Sequence, residues 1–127
     1  ANIVPRVPDS FSVLQGSPEL AVPSLDIGVD GLIPGPSNLL PGLLTDLYRS
    51  HVRGDRDRAI AILRDELLPV INVTRPLTSA SALKFLLTKI GYDVGAPLLP
   101  LQPLSDGERE QLERCFVEII RPEISPG

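Results

Sequence analysis

The chain has 127 residues, of which 43% are hydrophobic and 22% charged, a balance typical of one globular domain and not of a disordered segment. Twelve basic and sixteen acidic residues give a net charge of −4, which argues against nucleic acid as a partner, since that would need a clustered positive surface. No apolar run reaches the roughly 18 residues of a membrane span, and the first residues lack a secretory pattern. We therefore expect no membrane partner and a cytoplasmic location, and the single cysteine fits a reducing compartment.

Two short apolar segments near the start of the chain predict strands. Residues 1–10 carry two prolines and no helical period, so they are interpreted as an arm or linker. Phe11–Leu14 alternates and leads into a glycine turn, which indicates a short strand. Ser17 is then predicted to cap a helix that ends near Gly28.

The second apolar segment, Gly31–Ile33, ends in the proline-rich loop Pro34–Asn38. A strand, a compact helix and another strand in this order predict two parallel strands joined by a right-handed crossover.

The remainder of the sequence predicts helices. Asn38 is expected to cap a leucine-striped helix that ends near Gly54, and Asp55 opens the next helix, which Pro69 should bend. The apolar stripe of that helix is predicted to comprise Ala59, Ile60, Leu63, Leu67, Val70 and Ile71.

A third helix is expected to begin at Ser79 or Ser81 and to close at Gly91. The segment from Ala96 to Pro103 carries three prolines, which exclude it from a sheet interior. The pattern Ser105-Asp-Gly-Glu108 then predicts a capping box at the start of the last helix.

Two parallel strands cannot close a sheet, because each leaves an unpaired edge, and parallel sheets are normally covered on both faces. The chain is therefore interpreted as part of a larger fold.

The ordered set of motifs resembles one known family. Val13-Leu-Gln-Gly-Ser17 and Gly28-Val-Asp-Gly-Leu-Ile-Pro-Gly-Pro-Ser-Asn38 are similar to the seventh and eighth barrel strands of the dihydrodipicolinate synthase and N-acetylneuraminate lyase family of class I aldolases. The likeness continues through Gly54-Asp55, Leu67-Leu68-Pro69, Leu83-Lys84 and Pro97–Ser105. The resemblance spans about residues 10 to 115.

This resemblance implies an α/β fold: the C-terminal portion of a (β/α)8 TIM barrel, strands 7 and 8, followed by C-terminal helices. Residues 1–10 would be the arm, 11–53 the last two βα units and 54–127 the C-terminal helical region. The implied activity is that of a Schiff-base aldolase or lyase on a 2-oxo acid such as pyruvate, with no cofactor. The implied partners are this small substrate, the missing N-terminal half of the barrel, and further copies of the chain in a homo-oligomer, commonly a tetramer.

Five residues are expected to bind substrate, since barrel active sites lie at the carboxyl ends of the strands. Gly16 and Ile33 match the family's pocket-lining positions, and Ser17, Pro34 and Gly35 are their neighbours. Pro34 departs from the small polar or alanine residue common in the family, which puts its side-chain contacts in doubt.

No catalytic residue is assigned, because the family's lysine lies at the end of the sixth strand, before this chain begins. Lys84 and Lys89 fall on a predicted helix outside the barrel and are poor substitutes. His51 stands alone, without a second ligand at metal spacing, and is interpreted as an exposed capping residue. Cys115 lies on an apolar stripe and predicts core or interface packing.

Two refinements stay open. Ser37-Asn38 and Gly91-Tyr92-Asp93 look more like members that cleave 2-keto-3-deoxy sugar acids than like dihydrodipicolinate synthase itself. An alternative of another class is a non-catalytic helical interaction module whose exposed strand edges a partner chain would cover.

Overall fold

The computed structural model of the protein describes residues 3–77 and 79–120, so Ala1 and Asn2 of the predicted arm lie outside the described part. The regular elements are β1 (Leu14–Gln15), α1 (Ala21–Asp26), β2 (Gly31–Leu32), α2 (Pro41–Val52), α3 (Arg56–Ala61), α4 (Leu68–Thr74), α5 (Ser79–Lys89) and α6 (Asp106–Cys115). Short 3-10 turns occur at Val4–Arg6, Pro18–Leu20 and Gly35–Asn38, and π-helical segments at Ile62–Leu67 and Phe116–Ile120.

The two strands pair in parallel, as predicted, with Leu14 opposite Gly31 and Gln15 opposite Leu32. The first strand lies further along the chain than the sequence indicated, because the backbone N–H of Phe11 donates to the carbonyl of Pro8 at 2.9 Å and closes a turn there. Of the predicted segment Phe11–Leu14, only Leu14 belongs to β1.

One face of the strand pair is anchored to helix α1 through Gln15. The Gln15 side chain donates from Nε2 to the hydroxyl of Ser24 at 2.8 Å, and its Oε1 accepts the backbone N–H of Ser17 at 2.8 Å. Ser24 is buried, so this amide satisfies a polar group that would otherwise be isolated in the core. Gln15 therefore fixes both the helix below the strand and the turn that follows it.

The opposite face of the strand pair is open. Leu14 retains 49% and Ile33 retains 63% of its accessible surface, although both are large apolar residues. Side chains of paired residues point to the same face of a sheet, and alternate residues along a strand do so too. Leu14 and Ile33 thus form a continuous apolar surface, which the rest of the described residues leave exposed.

Helix α2 begins later than predicted, because Asn38 does not cap it. The Asn38 amide instead donates to the carbonyl of Gly35 at 3.0 Å and stabilises the 3-10 turn. Pro41 then occupies the first turn of α2, where a missing N–H removes no helical bond. Helix α2 ends before Gly54, whose φ of +84° explains why a glycine closes it.

Asp55 begins the following helix as predicted, its carboxylate accepting the backbone N–H of Arg58 at 3.0 Å. That helix continues from Arg56 to Thr74, but its middle is π-helical rather than simply bent. Pro69 follows this segment, and proline both lacks an N–H and crowds the carbonyl four residues earlier. In a π-helix the backbone hydrogen bonds join residues that are five positions apart, instead of four as in an α-helix.

The structure buries four of the six residues of the predicted stripe, Ala59, Leu67, Val70 and Ile71, and the π-helical segment changes the rest of the buried face. Ile62, which the predicted stripe omits, is fully buried, whereas Ile60 and Leu63 are half-buried. Ile62 and Leu67 are both at 0% exposure and lie five positions apart, a spacing that an uninterrupted α-helix does not favour. The core joins these residues to Leu47, Leu86 and Leu112 from three other helices.

Helix α6 begins with the predicted capping box. The Ser105 hydroxyl accepts from the backbone N–H of Glu108, and the Glu108 carboxylate accepts both the backbone N–H and the hydroxyl of Ser105, each at 2.7 Å. Between α5 and α6, the proline-rich segment forms no strand, as predicted. Within residues 3–77 and 79–120, no helix combines the length and apolar character needed to cross a bilayer.

We predict that Gln15→Ala lowers the free energy of unfolding by about 1–3 kcal/mol, because it leaves the Ser24 hydroxyl and the Ser17 N–H without their partner. Urea unfolding followed by circular dichroism measures the change. Gln111→Ala, at an exposed position on α6, is the matched control and should stay within about 0.5 kcal/mol of the original protein. Equal stability of the two variants would contradict the anchoring role of Gln15.

We predict that Ser105→Ala lowers the free energy of unfolding by about 1 kcal/mol at neutral pH, because the first turn of α6 loses its cap. The Ser105 hydroxyl and then the Ser105 backbone N–H hold the pKa of Glu108 below its ordinary value of 4.5. A carboxyl group with a lowered pKa stabilises the fold at any pH above its ordinary pKa. This contribution is lost as the pH falls through the lowered pKa.

The deficit of Ser105→Ala should therefore shrink, without vanishing, when the same urea titrations are repeated at about pH 3. Ser12→Ala, an exposed serine outside the helix, controls for loss of a hydroxyl. A deficit that grows on acidification would count against the capping box as its source.

Candidate functional site

The candidate site lies where the two parallel strands end, because the carboxyl ends of parallel strands meet at one edge of a sheet. The strands are joined there by a bond from the backbone N–H of Ile33 to the carbonyl of Gln15 at 2.9 Å. Beyond that bond the chain turns away on both sides, into Gly16-Ser17 and into Pro34-Gly35.

Three of the five predicted substrate-binding residues line one cavity of about 250 Å³ at this edge: Gly16, Ser17 and Gly35. A Cβ added to Gly16 would meet nothing within 4 Å, so a ligand can approach the backbone there closely. Ser17 occupies the capping position of the turn Pro18–Leu20, but its side chain makes no capping bond, contrary to the sequence prediction. Its hydroxyl is therefore not used to start this turn.

The other two predicted residues lie at the strand end but outside the cavity wall. Ile33 projects from the open face of the strand pair, and Pro34 is buried beneath the turn. The carbonyl of Pro34 accepts both the backbone N–H of Ser37 at 3.0 Å and the Ser37 hydroxyl at 2.6 Å. Pro34 thus shapes the turn and does not line the cavity.

Gly35 allows helix α5 to pack against the second turn. A Cβ at this position would lie 2.9 Å from Cδ1 of Leu83, closer than side chains approach each other. Leu83 belongs to α5 and also lines the cavity, so the strand ends and the later helices form one wall.

Helix α4 adds residues that the sequence did not single out as part of a site. Ile71, Thr74 and Arg75 line the same cavity as Glu19. Arg75 Nη1 lies 3.7 Å from Oε1 of Glu19, and the Thr74 hydroxyl is occupied by the carbonyl of Val70 at 2.9 Å. Only tertiary packing brings the end of α4 beside the first turn, so no local pattern could have shown it.

The lysines of this chain lie away from the cavity, as expected from the sequence. Lys84 Nζ donates to the carbonyl of Val94 at 2.8 Å, and Lys89 pairs with Glu113 while its ammonium lies 4.8 Å from the Phe85 ring. Within the described residues, no lysine lines the cavity at the strand ends.

His51 takes part in a charged cluster between helices and is half-buried rather than exposed as predicted. Its Nδ1 lies 3.8 Å from Oδ1 of Asp26, and Arg56 donates three bonds to the same carboxylate, the shortest 2.7 Å. The hydrogen bond from Arg56 holds the pKa of Asp26 below its ordinary range. In the described part of the chain no three His, Cys, Asp or Glu side chains form a group that could hold a metal ion.

Cys115 is buried on α6, as predicted. Burial, and then the charge of Glu118, raises the pKa of its thiol. A thiol with a raised pKa stays protonated at neutral pH and is a poor nucleophile, so its role here is packing.

Comparison with known proteins places this chain in a family. A sequence model of the dihydrodipicolinate synthetase family matches residues 1–119. The 4-hydroxy-tetrahydrodipicolinate synthase 1 of Halalkalibacterium halodurans is 34% identical over 113 residues, which are 89% of this chain and 38% of that protein. The enzyme of the same name from Bacillus subtilis is 27% identical over 118 residues, 93% of this chain and 40% of the relative.

Solved structures agree with the sequence comparison. The dihydrodipicolinate synthase of Bacillus anthracis superposes with a TM-score of 0.82 at 26% identity, over 92% of this chain and 40% of that chain. The Aquifex aeolicus enzyme gives a TM-score of 0.82 at 28% identity, over 91% and 39%. The chain thus spans about two fifths of the length of the relatives it matches. It belongs to the dihydrodipicolinate synthetase family, and its fold is part of the barrel fold of those enzymes.

Proposed function

We propose that this chain is the C-terminal part of a Schiff-base aldolase or lyase that acts on a 2-oxo acid of the pyruvate type. In that enzyme β1 and β2 would be the seventh and eighth barrel strands, and the cavity at their ends would form part of the pocket wall. The observation that carries the proposal is the joint placement of Gly16, Ser17 and Gly35 around one cavity at the carboxyl edge of parallel strands.

The uncovered face of the strand pair supports the proposal. Leu14 and Ile33 expose apolar side chains beside each other, as expected for a surface that faces the inside of a closed barrel. A groove of about 420 Å³ runs between β2 and α2, lined by Gly31, Leu32 and Tyr48 among others. A strand and a helix from the N-terminal part of the barrel would fill it and pair with the free edge of β2.

In the proposed reaction a lysine from the preceding part of the barrel condenses with the keto carbon of the 2-oxo acid and releases water. Such a lysine must be neutral to attack, so a low-dielectric surrounding that lowers its pKa is needed. The apolar surface of Leu14 and Ile33 would contribute to that surrounding. Gly16 would let the substrate lie against the backbone, since no side chain intervenes.

The substrate preference is proposed from the relatives. Those reported above are 4-hydroxy-tetrahydrodipicolinate synthases, which favours a synthase-type reaction over cleavage of 2-keto-3-deoxy sugar acids. Ser37 and Asn38, which suggested sugar acids, bond to the carbonyls of Pro34 and Gly35 within their own turn. Their side chains therefore do not argue for a sugar substrate.

The location and assembly of the enzyme follow the same proposal. A cytoplasmic homo-oligomer is proposed, with the C-terminal helices contributing to contacts between subunits. The non-catalytic module has no support among the relatives, which are named as enzymes.

The test is borohydride trapping with pyruvate. It uses the protein isolated from its source, together with any polypeptide that carries the N-terminal part of the barrel. We predict one reduced pyruvate adduct, found by intact mass and peptide mapping on a lysine outside residues 1–127, because no lysine of this chain lines the described cavity. The control is borohydride without pyruvate, which should add no mass.

Two results would contradict the proposal in different ways. An adduct on Lys84 or Lys89 would show that the assignment of the site is wrong. No adduct in any preparation, with intact folded protein present, would favour the non-catalytic module.

A further inference from the structure

Gln15, the last residue of β1, makes hydrogen bonds with both its backbone and its side chain at the strand end. Its carbonyl accepts the backbone N–H of Ile33 at 2.9 Å, which joins the two strands. Its side-chain Oε1 accepts the backbone N–H of Ser17 at 2.8 Å, across the glycine that lies between them. Gln15 therefore restrains the chain on both sides of Gly16.

Gly16 depends on such a restraint, because glycine loses more conformational freedom than any other residue when its backbone is fixed. Gly16 is exposed, and a Cβ there would meet nothing within 4 Å, so no packing holds this position. The side chain of the next residue, Ser17, makes no capping bond that could hold the turn instead. The bond between Ser17 and Gln15 thus restrains the peptide unit that joins Gly16 to Ser17.

The direction of the Gly16 carbonyl follows from this bond. The N–H of Ser17 and the C=O of Gly16 belong to one planar peptide unit, and in a trans unit they point in opposite directions. The Gln15 amide lies on the side of helix α1, where its Nε2 donates to the buried hydroxyl of Ser24 at 2.8 Å. The Gly16 carbonyl therefore points away from α1, and no backbone N–H among the described residues donates to it.

We propose that Gln15 is a positioning residue, whose side-chain amide holds the Gly16 carbonyl in place as a hydrogen-bond acceptor for a reactant. Gly16 itself lines the cavity of about 250 Å³ at the strand ends. A carbonyl oxygen only accepts, so its partner must bring a donor such as a hydroxyl. The inference rests on the proposed function, since it assumes that the aldehyde that an aldolase joins to the 2-oxo acid occupies this cavity.

The test uses Gln15→Ala and Gln15→Glu in the complete protein. Alanine removes the acceptor for the Ser17 N–H, so the peptide unit after Gly16 is no longer restrained. Glutamate keeps that acceptor, and its second oxygen can accept a bond from the Ser24 hydroxyl, since a hydroxyl both donates and accepts. Glutamate should therefore restore what alanine loses.

Kinetics are measured with pyruvate and one of two aldehydes: glyceraldehyde, which has hydroxyl donors, or propanal, which has the same carbon chain without them. In Gln15→Ala we expect KM for glyceraldehyde to rise roughly threefold to tenfold, as for the loss of one hydrogen bond, with kcat little changed. KM for propanal should stay unchanged. In Gln15→Glu, KM for glyceraldehyde should return close to that of the original protein.

Ser105→Ala is the control for lowered stability, because it weakens the fold at the first turn of α6 and should change neither KM. A second measurement does not depend on turnover. Hydrogen exchange at the Ser17 amide should be roughly tenfold faster in Gln15→Ala than in the original protein, because the N–H has lost its acceptor. In Gln15→Glu the exchange should stay slow.

The inference and the proposed function fail in different ways. Suppose that pyruvate trapping persists, but Gln15→Ala leaves exchange at Ser17 unchanged or raises KM for both aldehydes equally. Gln15 then has a structural role only, and the aldolase stands. Failure of Gln15→Glu to restore KM, or of the original protein to use glyceraldehyde, would also overturn the inference. If trapping is absent from the original protein, the proposed function itself is wrong.

Discussion

The structure depends on how a pair of parallel strands can be buried. This chain covers one face of the pair with helices, through Gln15 and Leu32, and leaves Leu14 and Ile33 open on the other. A parallel pair has no tight hairpin and two free edges, so it is normally found inside a larger layered structure. The expectation of a larger fold therefore follows from the strands themselves, before any relative is considered.

The same constraint decides where the chemistry can lie. Parallel strands bring their carboxyl ends to one edge of the sheet. The residues that follow those ends can contact a ligand, because their backbone groups are no longer used in hydrogen bonds between the strands. Gly16 and Gly35 do this in different ways. Gly16 leaves open space beside the backbone, whereas Gly35 lets Leu83 come close enough to bring α5 into the cavity wall.

Local rules predicted much of this fold. Helix ends depend on residues a few positions away in the chain, so their signals are visible in the sequence. The signals here are the capping residues Ser105 and Asp55 and the glycines at 28 and 54. The prediction that Asn38 caps α2 is wrong, and the burial of Ile62 was not predicted, because each depends on a competing arrangement: a 3-10 turn in one case and a π-helical segment in the other. Arg75 reaches the cavity through packing between distant segments, which no periodicity records. The family assignment was predicted from ordered motifs and is confirmed by the match over residues 1–119.

The π-helical segment at Ile62–Leu67 also sets the direction of everything that follows it in the same helix. Each of its bonds encloses one residue more than an α-helical bond, so the residues beyond it are rotated about the axis relative to a regular helix. Thr74 and Arg75 lie at the end of that rotated stretch. An irregularity in the core thus sets the angular position of Thr74 and Arg75 in the cavity wall, and related chains could move both residues around the helix axis without changing any residue of the cavity itself.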